Sequence, residues 1–266
     1  MALKFAPSFI PNLSQTFFEE CDPDLAKQSM PAGLKLMEGL LKNDPENKQI
    51  LTTLCTAFTG YTMLFVEEDD PEAASSLYLR ARDYGFKALG RKAPVSKDAG
   101  FKKDVIPGRI NAIGEGDLEA LFWTAMAWNA WINLNLDKTA ALGQLSTAQS
   151  CVKRALEIKP DYFYGAPYIL MGSVLAAMPA QLGGDETRAR ECFEKAIQLS
   201  EGKFLLAHYY FARYYAVRVQ NKDLFLKLIN EIQNASSDNL NEVCLINAVM
   251  KQKSKRLLEM SEDLFL

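Results

Sequence analysis

Histidine is almost missing from this chain, which carries one, His208, in 266 residues. A lone histidine with no neighbouring nucleophile-and-acid pattern argues against triad chemistry and reads as a packed or hydrogen-bonded group. The five cysteines (Cys21, Cys55, Cys151, Cys192 and Cys244) are scattered, odd in number, and never form a C-x-x-C pair. A zinc site or a disulfide framework is therefore not expected, and Cys55, Cys151 and Cys192 read as small buried helix residues. The sequence also lacks GxGxxG, GxxxxGK[ST], GxSxG and HExxH. No catalytic residue, cofactor or metal is assigned on this reading, and the chain is not expected to be an enzyme. A net charge of -3 gives no reason to expect nucleic acid or an anionic membrane surface as partner. The longest apolar run, Leu118–Leu136, is broken by Glu119, Asn129, Asn133 and Asn135, so it reads as a buried core helix rather than a membrane span. Met1-Ala2-Leu3-Lys4-Phe5 leads into Ala6-Pro7 without an apolar stretch, so no leader is expected there. Alternation of apolar and polar residues over strand lengths is nearly absent.

What is present is helical spacing with small residues at regular places. In Pro160–Ser200, Tyr168, Met171, Gly172 and Leu175 are spaced as in the first helix of a tetratricopeptide (TPR) repeat, and Ala189, Phe193 and Ala196 as in its second. Two helices cross closely only where a small residue faces a large one. The same logic recurs upstream. Gly33, Met37, Leu40 and Pro45 follow second-helix spacing, and Leu51, Leu54, Cys55 and Phe58 first-helix spacing. Asp70-Pro71-Glu72 opens a helix carrying Ala81, Gly85 and Ala88, which Gly90 ends. Asp117 is expected to cap a helix with Trp123, Met126, Ala127 and Ala130, matched by Ala148, Val152 and Ala155. His208, Phe211, Ala212 and Tyr215 begin another pair, completed by Leu224–Ile232, and Glu242–Leu264 reads as an amphipathic cap. Lys92–Gly116, rich in glycine, proline and lysine, reads as a long loop. The expectation is an all-α chain forming one domain over residues 1–266, a TPR-like helical-hairpin superhelix of about four cryptic repeats with a C-terminal capping helix.

Aromatics supply the candidate binding residues. Trp123, Trp128 and Trp131 lie on one helix, Tyr162, Tyr164 and Tyr168 follow in the next pair, and Tyr209 one helix later. At about 100° per residue the three tryptophans cannot all point one way, so at least one serves a second surface. Tyrosine and tryptophan suit a wall that is apolar in body and polar at one tip, fitting an amphipathic ligand or a partner. The competing reading is that these rings are core. Gly183-Gly184-Asp185 has the form of an anion-binding turn, but a loop entering a helix needs those residues anyway.

Several blocks together resemble the TatT family, the TPR-containing lipoprotein components of TPR-protein-associated TRAP transporters. They are Leu121–Trp128, Pro160–Pro167, Gly183-Gly184-Asp185 followed by Phe193–Ala196, Lys203-Phe204-Leu205 leading to Ala212–Val217, and upstream Ser76–Gly85. The resemblance covers about Leu34 to Leu228. It implies a periplasmic protein tethered to a membrane through an N-terminal lipidated cysteine. Such a protein docks the transporter's periplasmic solute-binding protein and passes on a small, partly apolar ligand. Cys21, well inside the chain with no apolar run before it, does not fit as the lipidated residue. Self-association as a homotrimer or other homo-oligomer is expected, because repeat surfaces often pair. A generic TPR peptide-binding adaptor is the alternative, although Trp123–Ala130 and Tyr168–Leu175 lack the Lys and Arg of a carboxylate clamp. A helical toroid enzyme would need Glu119 and Asp161 as its acids.

Overall fold

The computed structural model describes residues 15–95 and 104–265. Among them every regular element is helical and no strand occurs, so the chain is all-α. Its contacts divide it into two compact units. Unit 1 is built from Asp24–Ile158, and unit 2 from Phe18–Pro23 with the chain from Lys159 onward.

Unit 1 contains α1 (Pro23–Leu41), α2 (Lys48–Phe65), α3 (Pro71–Leu89), the short α4 (Ile106–Asn111), α5 (Leu118–Asn133), α6 (Thr139–Leu142) and α7 (Leu145–Ile158). Helix starts follow capping chemistry. The Asn47 side chain accepts from the Ile50 amide at the head of α2, and Asp70 accepts from the Ala73 amide at the head of α3, where Pro71 needs no donor. Asp117 departs from the expected pattern. Its carboxylate makes no cap bond to α5. Instead it binds Lys48 Nζ at 2.5 Å and Lys92 Nζ at 2.7 Å, tying the heads of α2 and α5 to the turn after α3. Burial pulls the other way, but these two ammonium partners hold the carboxyl below its ordinary value.

Helix α5 packs against α2, α3 and α7, which accounts for its lack of a solvent face. The crossing with α3 is set by Gly85, where a Cβ would lie 1.8 Å from Thr124 Oγ1 and 3.0 Å from Cys55 Sγ. No side chain fits there. The stretch expected to be one long loop, Lys92–Gly116, contains α4 and a 3-10 turn at Glu115–Asp117. Pro107 sits in the first turn of α4, where proline is pre-organised for a helix. Lys97, Gly100, Lys102 and Lys103 of that stretch lie outside the described residues.

Unit 2 contains α8 (Tyr162–Ala177), α9 (Glu186–Leu199), α10 (Leu205–Tyr210), a π-helical turn (Phe211–Ala216), α11 (Lys222–Asn234), α12 (Cys244–Glu259) and α13 (Ser261–Leu264). The α8–α9 pair has the small-against-large crossing read from the sequence, since a Cβ on Gly172 would stand 3.0 Å from the buried Phe193 ring. Burying that ring contributes up to about 3 kcal/mol. The Gly183-Gly184 turn is explained by backbone geometry. Gly183 is left-handed at φ 91°, and a Cβ on Gly184 would strike the Met178 carbonyl at 1.8 Å. Asp185 then caps α9 through the Arg188 amide. Helix α12 packs on α10 and α11, and its fully buried Asn247 accepts from the Leu205 amide and donates to the Lys203 carbonyl, both at 2.9 Å. One helix thereby caps the start of another.

The reading against a disulfide is corrected. Cys21 and Cys244 are bonded, with Cα atoms 5.1 Å apart, across a sequence separation of 223. Spacing along the chain carried no sign of this, because the fold brings the Phe18–Pro23 segment to the head of α12. Closing a loop of that length removes on the order of 5 kcal/mol of unfolded-chain freedom in the chain-entropy account. The other three cysteines are free. Cys55 and Cys151 are buried as expected, whereas Cys192 is only half-buried.

Candidate functional site

The seven aromatic candidates are divided between the units. Trp123, Trp128 and Trp131 belong to unit 1 and are each less than a tenth exposed. Trp123 meets Phe122 edge-on at 5.3 Å, and Trp128 meets Phe86 edge-on at 5.1 Å while its indole N–H donates to Gln144 at 2.9 Å. The Arg82 guanidinium lies over the rings of Phe86, Trp128 and Trp131 at 5.3, 5.9 and 5.8 Å. The second surface that helical geometry demanded for one tryptophan is supplied by neighbouring helices. Arg82 was not visible as a partner in the sequence, since nothing in its spacing marks it.

Unit 2 holds Tyr162, Tyr164, Tyr168 and Tyr209. The first two lie beside and within an unusual piece of backbone. Phe163, Tyr164 and Gly165 are consecutive left-handed residues with φ of 45°, 59° and 81°, so α8 starts with a left-handed turn before Pro167 enters the regular helix. For Phe and Tyr this conformation is costly, on the order of 1–2 kcal/mol each, and it persists only when the surroundings impose it. Here the surroundings are aromatic. Phe163 meets Phe18 at 5.8 Å and Phe204 at 5.7 Å, both edge-on, and Tyr164 meets Phe204 at 5.8 Å. Phe18 belongs to the segment that the Cys21–Cys244 disulfide fastens. Tyr162, Phe163 and Tyr164 all keep partly exposed surface. Burial, then the nearby Glu242 carboxylate, push the Tyr164 phenol above its ordinary value. Sequence reasoning missed Phe18, Phe204 and Glu242. The Gly165 before Ala166-Pro167 was the one local sign of an irregular start.

Tyr168 is half-buried in the first turn of the regular part of α8. Tyr209 is buried at the end of α10, 6.2 Å from the Tyr210 ring, and its hydroxyl accepts from Arg213 Nη1 at 3.2 Å. Tyr210 meets Tyr214 edge-on at 5.0 Å, and Arg213 lies 5.8 Å over Tyr214. These residues sit where α10 widens into the π-helical turn, which shifts the register so that Tyr210, Arg213 and Tyr214 stay partly exposed. His208 is buried with Nε2 3.6 Å from Glu231, and burial lowers its imidazole below the ordinary value. Glu119 and Asp161, the two acids an enzyme reading would use, lie in different units and are exposed.

Among the described residues no three His, Cys, Asp or Glu side chains converge as a metal site, and no helix is long and apolar enough to cross a membrane. The candidates are thus a buried tryptophan cluster in unit 1 and a partly exposed tyrosine set in unit 2, both on packed helices. Residues 19–265 match the family described as TRAP transporter T-component, and the chain belongs to that family. It is also similar to an uncharacterized protein of Treponema pallidum (strain Nichols), at 27% identity over 204 residues, which is 69% of this chain. The chain spans 62% of that relative's length.

Proposed function

We propose that this chain is a non-enzymatic accessory component of a TRAP-type transport system. In this role it is a scaffold that docks the periplasmic solute-binding protein and relays a small, partly apolar ligand. Membership of the T-component family over nearly the whole described chain is the observation that carries the reading. The partly exposed aromatic set Tyr162, Phe163 and Tyr164 supports it, because rings held by an imposed backbone are pre-organised and lose little freedom on binding. On this reading the helical pairs are TPR-like and belong to one domain, Tyr162, Tyr164, Tyr168 and Tyr209 serve the docking face or ligand path, and Trp123, Trp128 and Trp131 serve by packing the core of unit 1. The protein works in the periplasm, held to a membrane by a lipid anchor, as a homotrimer or other homo-oligomer. The Cys21–Cys244 disulfide supports an oxidising compartment.

Co-sedimentation with the solute-binding protein of the same transport system tests the docking. A complex at micromolar concentration is expected, and its absence at high micromolar concentration sinks the claim. The peptide-adaptor alternative predicts instead that free acidic peptide tails bind, for which the candidate helices offer no Lys or Arg.

A further inference from the structure

A cleft of about 640 Å³ opens in unit 1 between α4, the turn joining α6 to α7, and one face of α7. That volume falls within the usual range of small-molecule sites, roughly 300–1,000 Å³. None of the seven aromatic candidates lines it. The α4 wall is apolar, from Ile106, Pro107 and Ile110. The α7 wall is polar: Ser146, Ser150, Arg154 and Glu157 recur every three or four residues and share one face about 16 Å long, with Thr147 and Lys153 beside them.

Hydrogen bonding within the protein decides which of these groups are available to a ligand. The Arg154 guanidinium donates to the Ile113 carbonyl at 2.8 Å and the Asn111 carbonyl at 3.3 Å, and pairs with Glu157 at 3.0 Å. Ser150 Oγ donates to the Ser146 carbonyl at 2.8 Å. The Ser146 and Thr147 hydroxyls, the Asn111 amide and the Lys153 ammonium have no partner among the described residues. Lys153 and Arg154 against Glu157 give the cleft charges of +1, +1 and -1, a net of +1. Lys153 lies on the same face as Ser146, two turns further along α7, and helical side chains lean toward the N-terminus, so its ammonium reaches back along the cleft wall toward the hydroxyls.

We infer that this cleft binds an organic phosphate monoester, the phosphate held by Ser146, Thr147 and Lys153 and an apolar stem laid along Pro107 and the open edges of the otherwise buried Ile106 and Ile110. A planar carboxylate is best met by the fork of an arginine, and the arginine here is tied to carbonyls and Glu157. What remains is a set of single donors on separate side chains, with a point-like ammonium further along the same cleft wall. That set suits a tetrahedral oxyanion with several acceptor oxygens.

Calorimetric titration of the full chain with hexyl phosphate tests this, with inorganic phosphate and heptanoate as parallel probes. Hexyl phosphate is expected to bind, and the other two to bind at least tenfold more weakly. Lys153→Gln, at an exposed position, is expected to keep the parent's melting temperature and to weaken hexyl phosphate at least tenfold, as befits loss of a charge-assisted bond. Ser150→Trp, which fills the cleft from a half-exposed position, is expected to abolish binding. Three results overturn the inference: no binding of hexyl phosphate at millimolar concentration, heptanoate binding as tightly, or an affinity untouched by Lys153→Gln. Should the tryptophan variant fail to fold, the glutamine variant still decides.

Discussion

Single side chains carry two tests of the structure. The first is a thiol titration. The Cys55 and Cys151 thiols are buried and pushed up to about 12, so neither reacts with a disulfide reagent at pH 8 in the folded protein. Unfolded without reductant, the chain exposes three thiols, and with reductant all five; five before reduction contradict the Cys21–Cys244 bond. The second concerns His208. Burial depresses its imidazole, although the Glu231 carboxylate pulls the other way. The unfolded chain therefore takes up a proton near pH 6.5 that the folded chain refuses. The stability contribution is full above that pH and is lost as the pH falls through the depressed folded value. Replacing His208 by Gln should flatten the fall in stability below about pH 6.5, and an unchanged slope would count against the buried, neutral histidine. Legibility at this scale was uneven. The burial of Cys55, Cys151 and His208 followed from their helical positions. The disulfide, and the left-handed Phe163 and Tyr164, did not, because long-range proximity and imposed backbone leave no local composition signal for residues that tolerate φ > 0 so poorly.

Helical elements were far easier to read. Asp70, Asp185 and the Gly172–Phe193 crossing behave as capping chemistry and steric spacing require. The α4 helix was hidden because proline and glycine, which usually mark loops, here occupy its first turn. Paired glycine substitutions test the crossing geometry. Gly85→Ala forces a methyl into Thr124 and Cys55, and should destabilise the protein by about 1–3 kcal/mol despite the better helix propensity of alanine. Gly39→Ala, in α1 with open space around its Cβ, should instead stabilise by about 0.5–1 kcal/mol. Chemical denaturation of the two variants gives opposite signs if α3 and α5 cross as described, and equal signs if they do not.

For the molecule as a whole, helical class and family were legible because several independent blocks pointed the same way, while the sorting of aromatics into core and surface was not. Trp123, Trp128 and Trp131 are core because α5 is enclosed by three helices, a tertiary fact that no single helix's periodicity contains. Of the seven candidates, Tyr162, Tyr164 and Tyr168 keep partly open rings, and Tyr162 and Tyr164 lie at and beside the left-handed turn. The most direct measurement is therefore a binding titration of the transport system's solute-binding protein against this chain and its Tyr162→Ala, Tyr164→Ala double variant. The account predicts micromolar binding by the parent and a loss of at least tenfold in the double variant with the helical spectrum retained. No binding by the parent, or binding that the double variant leaves unchanged, would contradict it.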